Sequence, residues 1–184
     1  MRTLLALALA ALLAASVACS GTKTAEPAAA ADVRPTGTIK EIMDSVIDPS
    51  ADVLWESVST TINREGQTDK MPRTEDEWQT VRRSAVTLVE ATNLLVIGHR
   101  QVAPSGHKSE YPGIELEPEQ IQKTVDADRA AWVRYAHGLH DAAMVALKAI
   151  DSKNVQGLMD AGETIDEACE NCHKHYWYPD QKVS

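Results

Sequence analysis

The sequence predicts an all-α fold, an antiparallel up-down-up-down bundle of four helices. Three observations predict it. Apolar residues recur three and four apart along most of the chain, the spacing that lines one side of a 3.6-residue helix. No convincing stretch alternates with period two. The apolar runs are separated by connections marked with proline and glycine, short enough to favour antiparallel neighbours. No internal repeat is visible, and 9 glycines in 184 residues are too sparse for a phosphate-cradling loop.

Residues 1–18 stand apart from this body. One cation, Arg2, precedes a Leu and Ala run that closes in small residues, the pattern of a secretory signal peptide; the run is too short for a membrane span. Cys19 follows Ser16, Val17 and Ala18, which resembles a lipobox, so lipidation of Cys19 is one expectation and ordinary cleavage the other. Residues 19–36 are small, polar and proline-marked, and read as a flexible tether. Residues 37–184 remain as a single domain, exported to the bacterial periplasm and anchored there if Cys19 carries lipid.

The first helix is expected over about 37–64. Ile39, Ile42, Met43, Val46 and Ile47 form one stripe, Asp48-Pro49 interrupts it, and Leu54, Trp55, Val58 and Ile62 continue inward. "GQTDKMPR" reads as a turn. Thr74 with Glu77 makes a capping box, and the second helix carries a seam of Trp78, Val81, Ala85, Leu88, Thr92, Leu95, His99 and Val102. After a loop over 103–117, Pro118 opens a third helix with Ile121, Val125, Trp132, Tyr135, Leu139, Ala142, Ala146 and Ala149 inward. Asp151-Ser152 is expected to cap the fourth, which buries Leu158, Gly162, Ile165, Cys169 and Cys172 and stops at Pro179. In an antiparallel arrangement the start of helix one, the end of helix two, the start of helix three and the end of helix four share one pole.

That pole holds "ACENCHKHYWYP". Cys169, Cys172 and His173 are three and four positions apart, so on a helix they project from one side. Two thiols that can form thioethers, beside an imidazole that can ligate iron, are the pattern of a covalently attached c-type haem. Zinc would require further ligands. Thioredoxin-like chemistry would require a strand before the motif.

These residues resemble the class II c-type cytochromes, the cytochrome c-prime family and its six-coordinate Met/His relatives, which carry the haem motif near the carboxyl end. The resemblance spans about 37–179, but only the haem motif is a specific match. It implies one haem c near the end of helix four, serving electron transfer or the binding of small gases such as NO or CO. No substrate is expected to be transformed. It also implies that a methionine of helix one, here Met43, is the distal iron ligand.

The pole argument independently keeps Met43 and His99 as candidates for that position. Met144, Met159, His137 and His140 lie too far along their helices, and Met71 is in the opposite turn. Met43 as mere packing over an open iron site stays an alternative. Arg100, Lys108 and Tyr111, at or beside the second loop, are candidate partners for the haem carboxylates. His175 and His107 are expected in solvent.

The chain has 18 Lys and Arg against 27 Asp and Glu, and loss of residues 1–18 removes only Arg2. This balance disfavours nucleic acid and suits basic redox partners, donor and acceptor alike, although acidity also serves solubility. Helix bundles of the resembling family often pair, so a homodimer is a further expectation. A haem-free metal or thiol-redox protein is the third reading.

Overall fold

Thr38 and Thr74 each open a helix by the same reciprocal device. Thr38 Oγ1 accepts from the backbone N–H of Glu41, whose carboxylate accepts from Thr38 N at 2.8 Å. Thr74 and Glu77 repeat the pattern, with Thr74 N donating to Glu77 Oε2 at 2.8 Å. In the computed structural model, residues 33–98 and 100–179 are described. The expected signal peptide, Cys19, most of the tether and His99 lie outside the described residues. From Arg34 onward the described chain is one compact unit, mostly helical with one small antiparallel sheet.

Helix α1 (Ile39–Ile42) runs into a π-helical turn (Met43–Ile47) and then α2 (Asp48–Ser57). Pro49 therefore does not break the helix. The Asp48 N–H reaches back five residues to Met43 O, and Ser50 Oγ donates to Val46 O at 2.6 Å. The chain takes a wider turn where proline removes a donor.

The first helix ends at Ser57 instead of continuing to residue 64. Strands β1 (Ser59–Asn63) and β2 (Gly66–Lys70) form a hairpin in which Thr61 pairs with Thr68. A Thr-Thr-Ile run is stiff in a helix and suits a strand. Gly66, at φ 127°, makes the turn in a region that other residues avoid. The expectation of Ile62 in the core is corrected: it is 77% exposed.

Helix α3 (Glu75–Leu95) buries Trp78, Val81, Ala85, Leu88, Thr92 and Leu95 as its seam requires. It stops short of His99 because side chains from elsewhere take its last carbonyls. Trp132 Nε1 donates to Leu95 O at 2.8 Å, Arg129 Nη2 to Val96 O at 2.8 Å, and Arg100 Nε to Leu94 O at 3.1 Å.

The expected third helix is two. α4 (Pro118–Ala127) and α5 (Arg129–Asp151) meet at Asp128, whose backbone leaves the helical region at φ −136°, ψ 73° while its side chain accepts from Ala131 N. Asp in this position competes for backbone donors and starts a new helix. α6 (Val155–Tyr176) begins later than expected, on an Asn154 cap, because Asp151 still belongs to α5 and Lys153 turns the chain at φ 51°.

α5 lies between α3 and α6, and α2 packs on α3 and more lightly on α6. Leu54, Leu88, Leu158 and Ile165 are fully buried, each contributing roughly 1.5–3 kcal/mol. Ala136, Ala142, Ala143, Ala146 and Ala149 are also buried, and such small residues let neighbours approach closely. Trp55, expected inward, is 36% exposed; its Nε1 spans to Gly162 O at 3.0 Å, and a Cβ on Gly162 would stand 3.2 Å from its ring. No described helix is long and apolar enough to cross a membrane.

Candidate functional site

The loop after α3 ties three helix ends together. Ile39 N and Lys40 N, orphan donors at the start of α1, bond to Gln101 O at 2.9 Å and Val102 O at 2.8 Å. Val102 N bonds to Gln122 on α4 at 2.8 Å, and Leu116 N to Trp177 O, just past α6, at 2.8 Å. Within the loop, one oxygen of Glu115 accepts from the backbone of Glu110 and Tyr111 and from the Ser109 hydroxyl, each at 3.2 Å.

Two cavities open beside the end of α6. The first, about 70 Å³, is bounded by Ile39, Met43, Val102, Leu116, Ile121 and Trp177, among others, with Lys40, His107 and Lys108 also on its wall. The second, about 180 Å³, is bounded by Ile47, Ala51, Leu95, Leu139 and Cys169, with Asp48, Asp166 and Glu170 as its carboxylates. Met43, Trp132, Cys172 and His173 wall both. The structure thus brings Met43, from the first residue of the π-helical turn, to the same cavities as the motif at the end of α6.

Cys169 and Cys172 are free thiols. Burial, and then the carboxylates of Asp48, Asp166 and Glu170, pushes the Cys169 thiol up to about 12; burial, with Cys169 adding, does the same to Cys172, also about 12. Both are uncharged thiols near neutral pH. Burial lowers the His173 pKa against the opposing pull of Asp48 and Glu170, which favours a neutral imidazole with a free lone pair. Asp48 is itself raised, chiefly by burial. The His173 ring meets Trp177 edge-on at 5.3 Å and Tyr178 at 6.1 Å. The Tyr178 hydroxyl donates to Glu170 at 2.6 Å and holds that carboxyl below its usual range.

Of the three candidate carboxylate partners, only Lys108 lies on a cavity wall, largely exposed and 3.7 Å from Glu119. Tyr111 is 61% exposed and is not on either wall. Arg100 is buried with its guanidinium on Leu94 O and Gly37 O, so it serves the backbone. His107, expected in solvent, reaches the first cavity, while His175 is exposed and stacks on Tyr135 at 5.2 Å.

Sequence reasoning missed Lys40, which lies on the first cavity's wall three residues before Met43 and bridges Asp44 at 3.1 Å and Glu110 at 3.2 Å. Its helical spacing from Met43 was the available signal. Asp48 enters the sequence reading only as part of the Asp48-Pro49 interruption, and its place beside His173 has no signal in spacing. No family model matches the chain, and neither a curated protein nor a solved structure matches it.

Proposed function

We propose that this chain is an exported c-type cytochrome of the four-helix class, carrying electrons through one haem c. Cys169 and Cys172 would hold the haem by thioethers, and His173 and Met43 would ligate its iron. The observation that carries the reading is that Met43, Cys172 and His173 wall the same two apolar cavities. A haem held there supplies a one-electron ferrous/ferric couple, whose potential a thioether ligand raises relative to a second imidazole.

The chemistry of the donor set fits such a group. Thioether formation consumes thiols, and these two are buried and uncharged, a poor setting for thiolate redox chemistry. A ligand imidazole must be neutral, and burial shifts His173 toward that form. The walls around them are mainly apolar, as a macrocycle requires. Lys40 and Lys108 supply cations on the first cavity's wall for haem carboxylates. A metal bound by side chains alone is less well served: among the described residues no group of three or more His, Cys, Asp or Glu is placed to hold one.

The sequence-wide acidity supports basic redox partners, and Asp48, Asp166 and Glu170 put carboxylates on the second cavity's wall. Export and a lipid on Cys19 remain part of the proposal, supported by the first nineteen residues.

The test is Met43→Ala in holoprotein matured with cytochrome-assembly machinery. The expected result is loss of the six-coordinate low-spin spectrum. An unchanged low-spin spectrum in both oxidation states removes Met43 from the iron. Fast stoichiometric binding of carbon monoxide by reduced wild type would instead identify a five-coordinate haem for small gases, with Met43 packing above it.

A further inference from the structure

Tyr176 follows His173 by three positions and Cys172 by four, so α6 presents it on the motif's side. Its ring is fixed by neighbours. Trp132 meets it edge-on at 5.2 Å, Tyr135 at 5.6 Å and His175 at 4.5 Å. It is only 3% exposed and walls the first cavity together with Met43, Cys172 and His173.

Among the described residues, the Tyr176 hydroxyl is the one buried side-chain nitrogen or oxygen without a hydrogen-bond partner. Trp132, its neighbour and equally buried, delivers its N–H to Leu95 O at 2.8 Å. Buried polar groups are almost always paired, and an orphan calls for a partner that the chain does not supply. The ring's packing does not explain the oxygen, because the same contacts would be made without it.

We propose that the Tyr176 hydroxyl donates a hydrogen bond to an oxygen acceptor carried by the group that fills this cavity. The inference rests on the haem reading above. Two sources could present that acceptor: a carboxylate side chain of the haem, or a small oxygen-tipped molecule held at the iron. Tyr176 is then a positioning group that fixes the occupant's orientation.

The experiment begins with the mass of wild-type holoprotein. A mass lacking haem overturns the haem reading and this inference with it, before any substitution is made. With haem present, Tyr176→Phe keeps the ring and deletes only the donor. It is compared with Tyr176 in the wild-type and Met43→Ala backgrounds, using carbon monoxide as the probe.

If the acceptor is the small molecule, the carbon monoxide stretch moves to higher frequency and its dissociation accelerates about two- to tenfold, the size of one neutral hydrogen bond. If the acceptor is the haem carboxylate, the carboxylate bending band shifts in the resonance Raman spectrum and the carbon monoxide stretch does not. Neither band moving overturns the inference while leaving the haem reading intact. Should the Phe variant not accumulate, the heavy-water shift of either band is read in holoprotein carrying Lys40→Ala and Lys108→Ala, which removes the lysine donors on the same wall, with Met43→Ala added for the carbon monoxide band: a shift supports the bond, and none refutes it.

Discussion

At the end of the molecule that holds His173, the loop after α3 bonds to helix ends from three directions and encloses an apolar site. At the end of α2, strands β1 and β2 pair with one another and every one of their residues is exposed. The first region places scarce chemistry in low dielectric, where a thiol, an imidazole and a hydroxyl all depart from their ordinary behaviour. The second closes a connection with backbone bonds and polar side chains such as Thr60, which donates to Asp69 at 2.8 Å. Burial, more than residue type, separates a region that can host chemistry from one that only returns the chain.

Substitutions should break that contrast in graded fashion. On the haem proposal, Cys172→Ala should act most strongly, reducing covalent haem to a small fraction of wild type, as read from protein mass and a haem stain after denaturing electrophoresis. Retention of full covalent haem would mean that Cys172 is not an attachment point.

Arg100→Ala, at the same end but outside the cavities, should leave attachment chemistry intact and cost about 2–3 kcal/mol of stability. It removes a buried charged donor from Leu94 O and Gly37 O. Denaturant unfolding of holoprotein measures it, and a loss below about 1 kcal/mol would show that water replaces the guanidinium.

Thr74→Ala, at the other end, should cost about 1 kcal/mol through the lost cap of α3. The same box predicts a pH dependence. Backbone N–H groups of Arg73 and Thr74 hold the Glu77 carboxyl below its ordinary value, so its contribution is present above that ordinary value and is lost as pH falls through the depressed one. The stability gap between wild type and Glu77→Gln should therefore close on acidification; a gap that widens would reverse the assignment.

Ile62→Ser should be the mildest, within about 0.5 kcal/mol, since the side chain is 77% exposed. A larger loss would place a partner on the hairpin and erase the contrast between the two ends.

The helical content of the chain was legible because apolar spacing reports it locally. Trp78, Val81, Ala85, Leu88, Thr92 and Leu95 are buried as read, and both Thr74 and Pro118 sit where a helix starts. The errors fall where local preference met a competing local one or a distant donor. The Thr-Thr-Ile run followed its strand preference over the apolar pattern of the preceding helix, which had drawn Ile62 inward. Asp128 could be read as an exposed helical residue or as a cap, and only its φ and ψ distinguish them. At the site, Cys169, Cys172 and His173 announced themselves by spacing. Lys40 offered only its spacing from Met43, and Asp48 and Tyr178 offered none, because their relevance depends on which helices end together.

The sequence by itself determined where helices are favoured, which residues cap several of them, and that two thiols and an imidazole project from one side of the last helix. These are consequences of dihedral preference and of a period of 3.6, which act within a few residues. Only the tertiary structure decided that α3 ends at Leu95, since Arg100, Arg129 and Trp132 arrive from elsewhere to take its carbonyls. It alone turned the Pro49 interruption into a π-helical turn, set Asp48 at the cavity of His173, and left the Tyr176 hydroxyl buried without a partner. Pairing and desolvation depend on what surrounds a group from every side, and a linear sequence records only its neighbours along the chain.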